Sequence, residues 1–142
     1  GVDSLLTQLA RCCKPAPPDD IRGFVTRGKG VSIHRLGCPS LTQLLLREPG
    51  RDIEVQWGQP RAGEDRLYPV DVQVIALDRP TLLRDISEIF ARDKIPVTGV
   101  QSQIIKGQAL MTFTLQTPDT ARLAKVLQSV AEVKGVRTAR RR

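Results

Sequence analysis

The sequence predicts an α+β protein: a small α/β domain that carries every cysteine, followed by a ferredoxin-like βαββαβ domain. Three observations predict it. Over residues 67–142, segments of period two and segments of helical period succeed one another in the order βαββαβ. A polar stretch rich in Gly and Pro, GQPRAGEDR at 58–66, separates that region from the rest and reads as a linker. The three cysteines and the single histidine all fall between residues 12 and 38. The expected domains are therefore 1–57 and 67–142.

The elements follow in order. Val2, Leu5, Leu6 and Leu9 fall at helical spacing, with Asp3 or Ser4 as a cap. Residues 14–20, KPAPPDD, must be loop, because proline fixes φ and lacks a donor. Ile21–Thr26 and Val31–His34 read as strands joined by a turn at Gly28-Lys29-Gly30. Pro39–Arg47 reads as a helix with Leu41, Leu44 and Leu45 on one side and proline in its first turn. Asp52–Trp57 alternates through Ile53, Val55 and Trp57 as a half-buried strand.

In the second region Val70–Leu77 is a strand, and Thr81–Arg92 is a helix with Leu82, Ile86, Ile89 and Phe90 inward and Thr81 as N-cap. Val97–Ile105 and Ala109–Gln116 are strands around a turn at Lys106-Gly107-Gln108. Asp119–Val130 is a helix with Asp119 near its N-terminus, and Val133–Arg140 is a last strand. The sheet should be antiparallel with both helices on one face. Its other face is left uncovered by those helices.

Composition narrows the function. No apolar run approaches the ~20 residues that cross a bilayer, so no membrane role is expected. The odd cysteine number and the adjacent Cys12-Cys13 argue against a secreted disulfide framework and for a reducing cytoplasm. The formal net charge is +7, with 10 basic and 8 acidic residues in 1–66 against 12 and 7 in 67–142. Arg11, Lys14, Arg22, Arg27, Lys29 and Arg35 crowd one stretch opposed locally by Asp19 and Asp20. Such a cluster suits a polyanion such as RNA, or is a solvated basic surface.

Cys12, Cys13, His34 and Cys38 form a Cys3His set, a tetrahedral zinc combination. His34 and Cys38 are four residues apart and can converge. Adjacent Cys12 and Cys13 need a turn or helix end to aim both inward, since neighbours on a strand point apart. Two alternatives stay open: three reduced, half-buried cysteines beside an ordinary histidine, and a thiol switch at Cys12-Cys13. A catalytic cysteine lacks an orienting third group. No Walker loop, HExxH or GxSxG pattern is present, so no catalysis is expected of these residues.

The segment LARCCKPAPPDDIRGFVTRGKGVSIHRLGCPSL, residues 9–41, resembles the cysteine-bearing, zinc-finger or ribosome-intersubunit domain of long RelA/SpoT homologues. DRPTLLRDISEIFARDKIPVTGVQSQ, residues 78–103, resembles the ACT domain that follows it in those proteins. The resemblance implies a regulatory, non-catalytic C-terminal part of an alarmone (ppGpp) synthetase, a GTP pyrophosphokinase with N-terminal catalytic domains. It implies docking of the first domain on ribosomal RNA, with Arg22, Arg27, Lys29 and Arg35 as candidate contacts, and sensing of deacylated tRNA by the full protein. It also implies zinc at the four candidate ligands, an ACT homodimer, and an amino-acid effector at the loop Asp78, Arg79, Pro80, Thr81, Leu82 and Leu83. Family members usually carry Gly where this chain has Thr81, and Thr is not expected to adopt φ > 0.

Overall fold

The structure, a computed structural model, describes residues 6–28, 30–59 and 65–142. The chain divides into two compact units, Gly1–Glu64 and Asp65–Arg142.

The first unit is a four-stranded sheet with one helix. Its elements are β1 (Thr7–Leu9), β2 (Ile21–Thr26), β3 (Gly30–Arg35), α1 (Pro39–Arg47) and β4 (Asp52–Ile53). The sheet order is β1-β3-β2-β4. β2 pairs antiparallel with β3 and β4, and β1 lies parallel to β3. The helix expected over Val2–Leu9 is corrected at its described end, where residues 7–9 are strand. Four apolar positions over so short a span do not fix the period, and the edge of β3 decides the described end. Val31 N–H donates to the Leu6 carbonyl and Ala10 N–H to that of Ile33. Val2, Leu5 and the caps Asp3 and Ser4 lie outside the described residues.

β4 is shorter than the strand expected to Trp57. Only Asp52 and Ile53 find partners, on Phe24 and Gly23 of β2. Trp57 instead donates its indole N–H to the Asp19 carbonyl at 3.0 Å, and Asp19 accepts the Ala16 N–H at 2.8 Å, which ties down the proline loop. One core cluster joins Phe24, Cys38 and Leu41, with Cys13, Leu44 and Leu45 packed against them, and Ala16, Val31 and Ile33 are also buried.

The second unit has the expected βαββαβ order: β5 (Tyr68–Leu77), α2 (Leu82–Arg92), β6 (Val97–Ile105), β7 (Gln108–Thr117), α3 (Thr120–Ala131) and β8 (Val136–Arg141). The sheet is antiparallel in the order β6-β7-β5-β8. Val70, Val72, Val74 and Ala76 are buried on one face, opposite Leu115, Phe113, Met111 and Ala109 of β7. Leu82, Ile86 and Phe90 of α2 and Leu123, Val126 and Val130 of α3 complete that core. Phe90 meets Phe113 edge-on at 5.1 Å. Each such side chain stabilises by about 1.5–3 kcal/mol on burial. The Asp119 carboxylate caps α3 by accepting the Arg122 N–H at 2.8 Å. β8 begins at Val136, later than expected, because Val133 and Val136 N–H groups close the turns that leave α3.

Thr81 departs from expectation. It holds the N-cap position of α2 at φ 67° and ψ 7°, without a side-chain cap bond. A capping hydroxyl normally sits on extended backbone. Here the left-handed backbone accompanies a different pairing: Thr81 Oγ1 accepts from Arg79 Nη1 at 3.2 Å and donates to Asp85 at 3.4 Å. For a β-branched residue this conformation is strained.

Two substitutions separate backbone strain from lost contacts. A Cβ at Gly30 (φ 84°) would collide with the Leu6 carbonyl, whereas one at Gly28 (φ 75°) meets open space. Gly28→Ala should cost about 1–2 kcal/mol from the left-handed backbone alone. Gly30→Ala should cost clearly more, because β1 must also shift. Urea denaturation of both variants checks the order. Thr81→Asn, which tolerates the left-handed region, should raise stability by about 1 kcal/mol in the same assay.

Candidate metal centre

Four ligand-bearing residues from three places in the chain meet at one point. Residues 11–13 form a turn closed by Lys14 N–H donating to the Ala10 carbonyl at 3.1 Å. That turn lets both adjacent cysteines face the same centre. β3 contributes His34, which is buried, and Cys38 is the N-cap residue of α1. The ligand atoms of Cys12, Cys13, His34 and Cys38 all lie within 4.8 Å of one another.

Cys12 Sγ is 3.4 Å from His34 Nδ1 and 3.5 Å from Cys38 Sγ. Zinc with Zn–S of ~2.3 Å and Zn–N of ~2.0–2.1 Å sets tetrahedral ligand atoms about 3.5–3.8 Å apart. The donor set suits a tetrahedral ion, and the two Cys12 separations are close to that spacing. Ser32 Oγ lies 2.6 Å from His34 Nε2, which orients the ring so that Nδ1 faces the sulfurs. Cys13 Sγ accepts the Arg35 N–H at 3.2 Å.

The electrostatics of the metal-free cluster are uneven. Burial pushes the Cys13 thiol up to about 12. Burial and the neighbouring Cys38 raise Cys12. Burial also works on Cys38, but the Leu41 N–H, the Cys12 and Cys13 thiols and the Ser40 N–H outweigh it, and its pKa ends lowered. Burial lowers the His34 pKa below 6.5. A bound cation would reverse this pattern by drawing protons off the thiols.

Ser32 is the member of the cluster that the sequence reading missed. Its signal was available: two residues before His34 on a strand, it shares that residue's face.

The candidate RNA contacts are placed differently from what their local crowding suggests. Arg22 donates from Nε and Nη2 to Asp52 at 3.0 and 2.7 Å, and Arg27 lies 2.9 Å from Glu48. Arg35 lies 3.9 Å from Asp19 and donates to the Cys13 carbonyl. Two of these carboxylates, Asp52 and Glu48, come from β4 and the end of α1, far from the basic stretch in sequence. Lys29 lies outside the described residues.

The loop Asp78–Leu83 is braced from within. Arg79 donates to the carbonyls of Lys134 (2.9 Å) and Pro80 (3.0 Å) and to Thr81 Oγ1, and its Nη2 is 2.9 Å from Asp85. Asp78 N–H donates to the Gly107 carbonyl at 2.8 Å. Leu82 points into the core and Leu83 is exposed.

His34 gives the metal-free unit a defined pH response. Its folded pKa is lowered, so the unfolded chain takes up a proton that the folded chain resists. Stability should be fully present above ~6.5 and should decline as pH falls below it. Thermal melting of the metal-free chain between about pH 7.5 and about pH 5.5 should show this decline, flattened in His34→Gln. Zinc should raise the melting temperature of the same chain and release protons on binding, and Cys13→Ser should abolish most of that gain.

Comparison with known proteins places the chain. The family model described as the RelA/SpoT RIS domain matches residues 1–58, and an ACT domain model matches residues 64–141. A GTP pyrophosphokinase of Photobacterium angustum is 40% identical over 99% of this chain and 19% of its own length. That of Escherichia coli K12 is 39% identical over the same shares, and that of Streptomyces coelicolor is 39% identical over 96% and 16%. The chain thus spans about a fifth of the length of these relatives. Among solved structures, the ACT domain from a GTP pyrophosphokinase of Chlorobium tepidum aligns with a TM-score of 0.49 at 13% identity, over 54% of this chain and 99% of that one. With a RIS domain followed by an ACT domain, the chain belongs to the RelA/SpoT family.

Proposed function

We propose that this chain is the regulatory, non-catalytic part of a stringent-response alarmone synthetase. It contacts ribosomal RNA and, with the rest of the protein, deacylated tRNA. In that way it controls (p)ppGpp synthesis or hydrolysis by an N-terminal catalytic region in the cytoplasm. The observation that carries the reading is the RIS-then-ACT order in a chain that aligns, over 99% of its residues, with GTP pyrophosphokinases.

The metal in this reading is zinc, held by Cys12, Cys13, His34 and Cys38 as a structural ion. Soft thiolates and one imidazole suit zinc. A domain of fewer than about 70 residues gains from such a cross-link.

Among the basic residues, Arg27 is best suited to RNA. Its side chain is 80% exposed, and an exposed ion pair such as that with Glu48 is worth only ~0–1 kcal/mol, so Arg27 can turn to a phosphate at little cost. Arg22 and Arg35 are about one-third exposed and paired, so they hold the fold first. Ribosome binding of the chain should weaken with salt, and Arg27→Ala should lower the slope of log affinity against log salt by about one. Arg22→Ala should instead lower the melting temperature. A salt-independent interaction, or none, sinks the ribosome reading.

An amino-acid effector at Asp78–Leu83 is the competing reading. Its carboxylate would have to take Arg79 from Asp85 and the Thr81 hydroxyl. Calorimetry with valine, leucine and isoleucine should therefore give no binding heat, and a saturable heat would favour the effector.

The ACT unit is further read as a homodimer. β6 is an edge strand without a charged residue, and Val97, Val100, Ile104 and Ile105 are exposed on it. Such an edge invites pairing. Light scattering should give twice the chain mass, and Val100→Lys should return it to the monomer.

A further inference from the structure

We propose that Cys12 is an oxidation site with Cys38 as its resolving thiol, so that a hydroperoxide converts the pair into a disulfide and dismantles the metal set. The disulfide stands on the geometry of the thiols, and only the metal release rests on the zinc reading above.

Access and distance select the pair. Cys12 is exposed, Cys13 is half-buried and Cys38 is buried, so a solvent-borne oxidant meets Cys12 first. Cys38 Sγ waits 3.5 Å from Cys12 Sγ. A disulfide needs ~2.05 Å, so forming it draws the two sulfurs together by a further ~1.5 Å. Cys13 is the poorer partner although it is adjacent in sequence. Its sulfur accepts the Arg35 N–H at 3.2 Å. A vicinal bond would break that seat.

The chemistry balances. The Cys12 sulfur attacks a peroxide oxygen, the O–O bond breaks, water leaves and Cys12 becomes a sulfenic acid. The Cys38 thiolate then attacks the Cys12 sulfur. The S–S bond forms, the S–O bond breaks, and hydroxide leaves and takes a proton as a second water. Two thiols are oxidised and one hydroperoxide is reduced. Cys13 and His34 remain, too few to hold a tetrahedral ion. Because Cys38 is the N-cap residue of α1, the new bond also acts on the helix that carries Leu41 into the core. A dithiol reductant reverses the step.

The test uses the 142-residue chain. Reduced, zinc-treated protein receives equimolar hydrogen peroxide, followed by thiol alkylation and peptide mapping by mass spectrometry. The expected result is a Cys12–Cys38 link with Cys13 alkylated, zinc released to a chromophoric chelator in step with the link, and both effects reversed by dithiothreitol. A Cys12–Cys13 link, or Cys12 over-oxidised with Cys38 still alkylated, overturns the proposal. The metal-free chain run in parallel should form the same link. If the reduced chain takes up no zinc, the metal reading fails while the link still reports on the thiols. Cys38→Ala should leave a Cys12 sulfenic acid that dimedone traps; should that variant not fold, the map of the unaltered chain decides alone.

Discussion

The first unit is organised around the convergence of four donor atoms on one point. A closed turn at residues 10–14, the buried histidine of β3 and the cap position of α1 must all be in register for Cys12, Cys13, His34 and Cys38 to lie within 4.8 Å. The parallel seat of β1 on β3 delivers the turn to that point, and the left-handed Gly30 lets β1 approach. Cys13 and Cys38 also belong to the apolar cluster of Phe24 and Leu41, so the donor set and that packing share residues. Two of the donor separations, 3.4 and 3.5 Å, are close to those around a tetrahedral ion, and all four donors are near enough to hold a metal.

The second unit depends on a different interaction. Alternating side chains of β5 and β7 present one continuous apolar face to two helices, and that packing fixes the sheet register. Its β5–α2 loop carries strain at Thr81 in return for a closed set of Arg79 contacts that reach the turn before β8. Arg79 thus joins two loops that are 55 residues apart in sequence. A ligand at this loop would meet a site already filled by the protein's own guanidinium and carboxylate.

Charge shows how pairing redirects a sequence signal. Six basic residues crowd residues 11–35, yet Arg22, Arg27 and Arg35 each face a carboxylate. Of these three paired arginines, Arg27 is the most exposed, at 80% against 33% for Arg22 and 31% for Arg35. Arg22 clips β2 to β4, whereas Arg27 merely rests on the end of α1. Exposure and not proximity in sequence therefore ranks these residues for contact with a polyanion.

Residue order alone determined the βαββαβ succession, the β2–β3 hairpin, the span of α1 and the place of Asp119 near the start of α3, because period, turn glycines and helix-end residues are local signals. It also named the four ligand-bearing residues, since no other cysteine or histidine exists to choose from. Only tertiary structure decided that residues 7–9 are strand, that Thr81 turns left-handed and that Cys38 Sγ lies 3.5 Å from Cys12 Sγ. Each of those outcomes depends on a partner 20 or more residues away, or on a side-chain direction set by packing, and neither is written in local spacing.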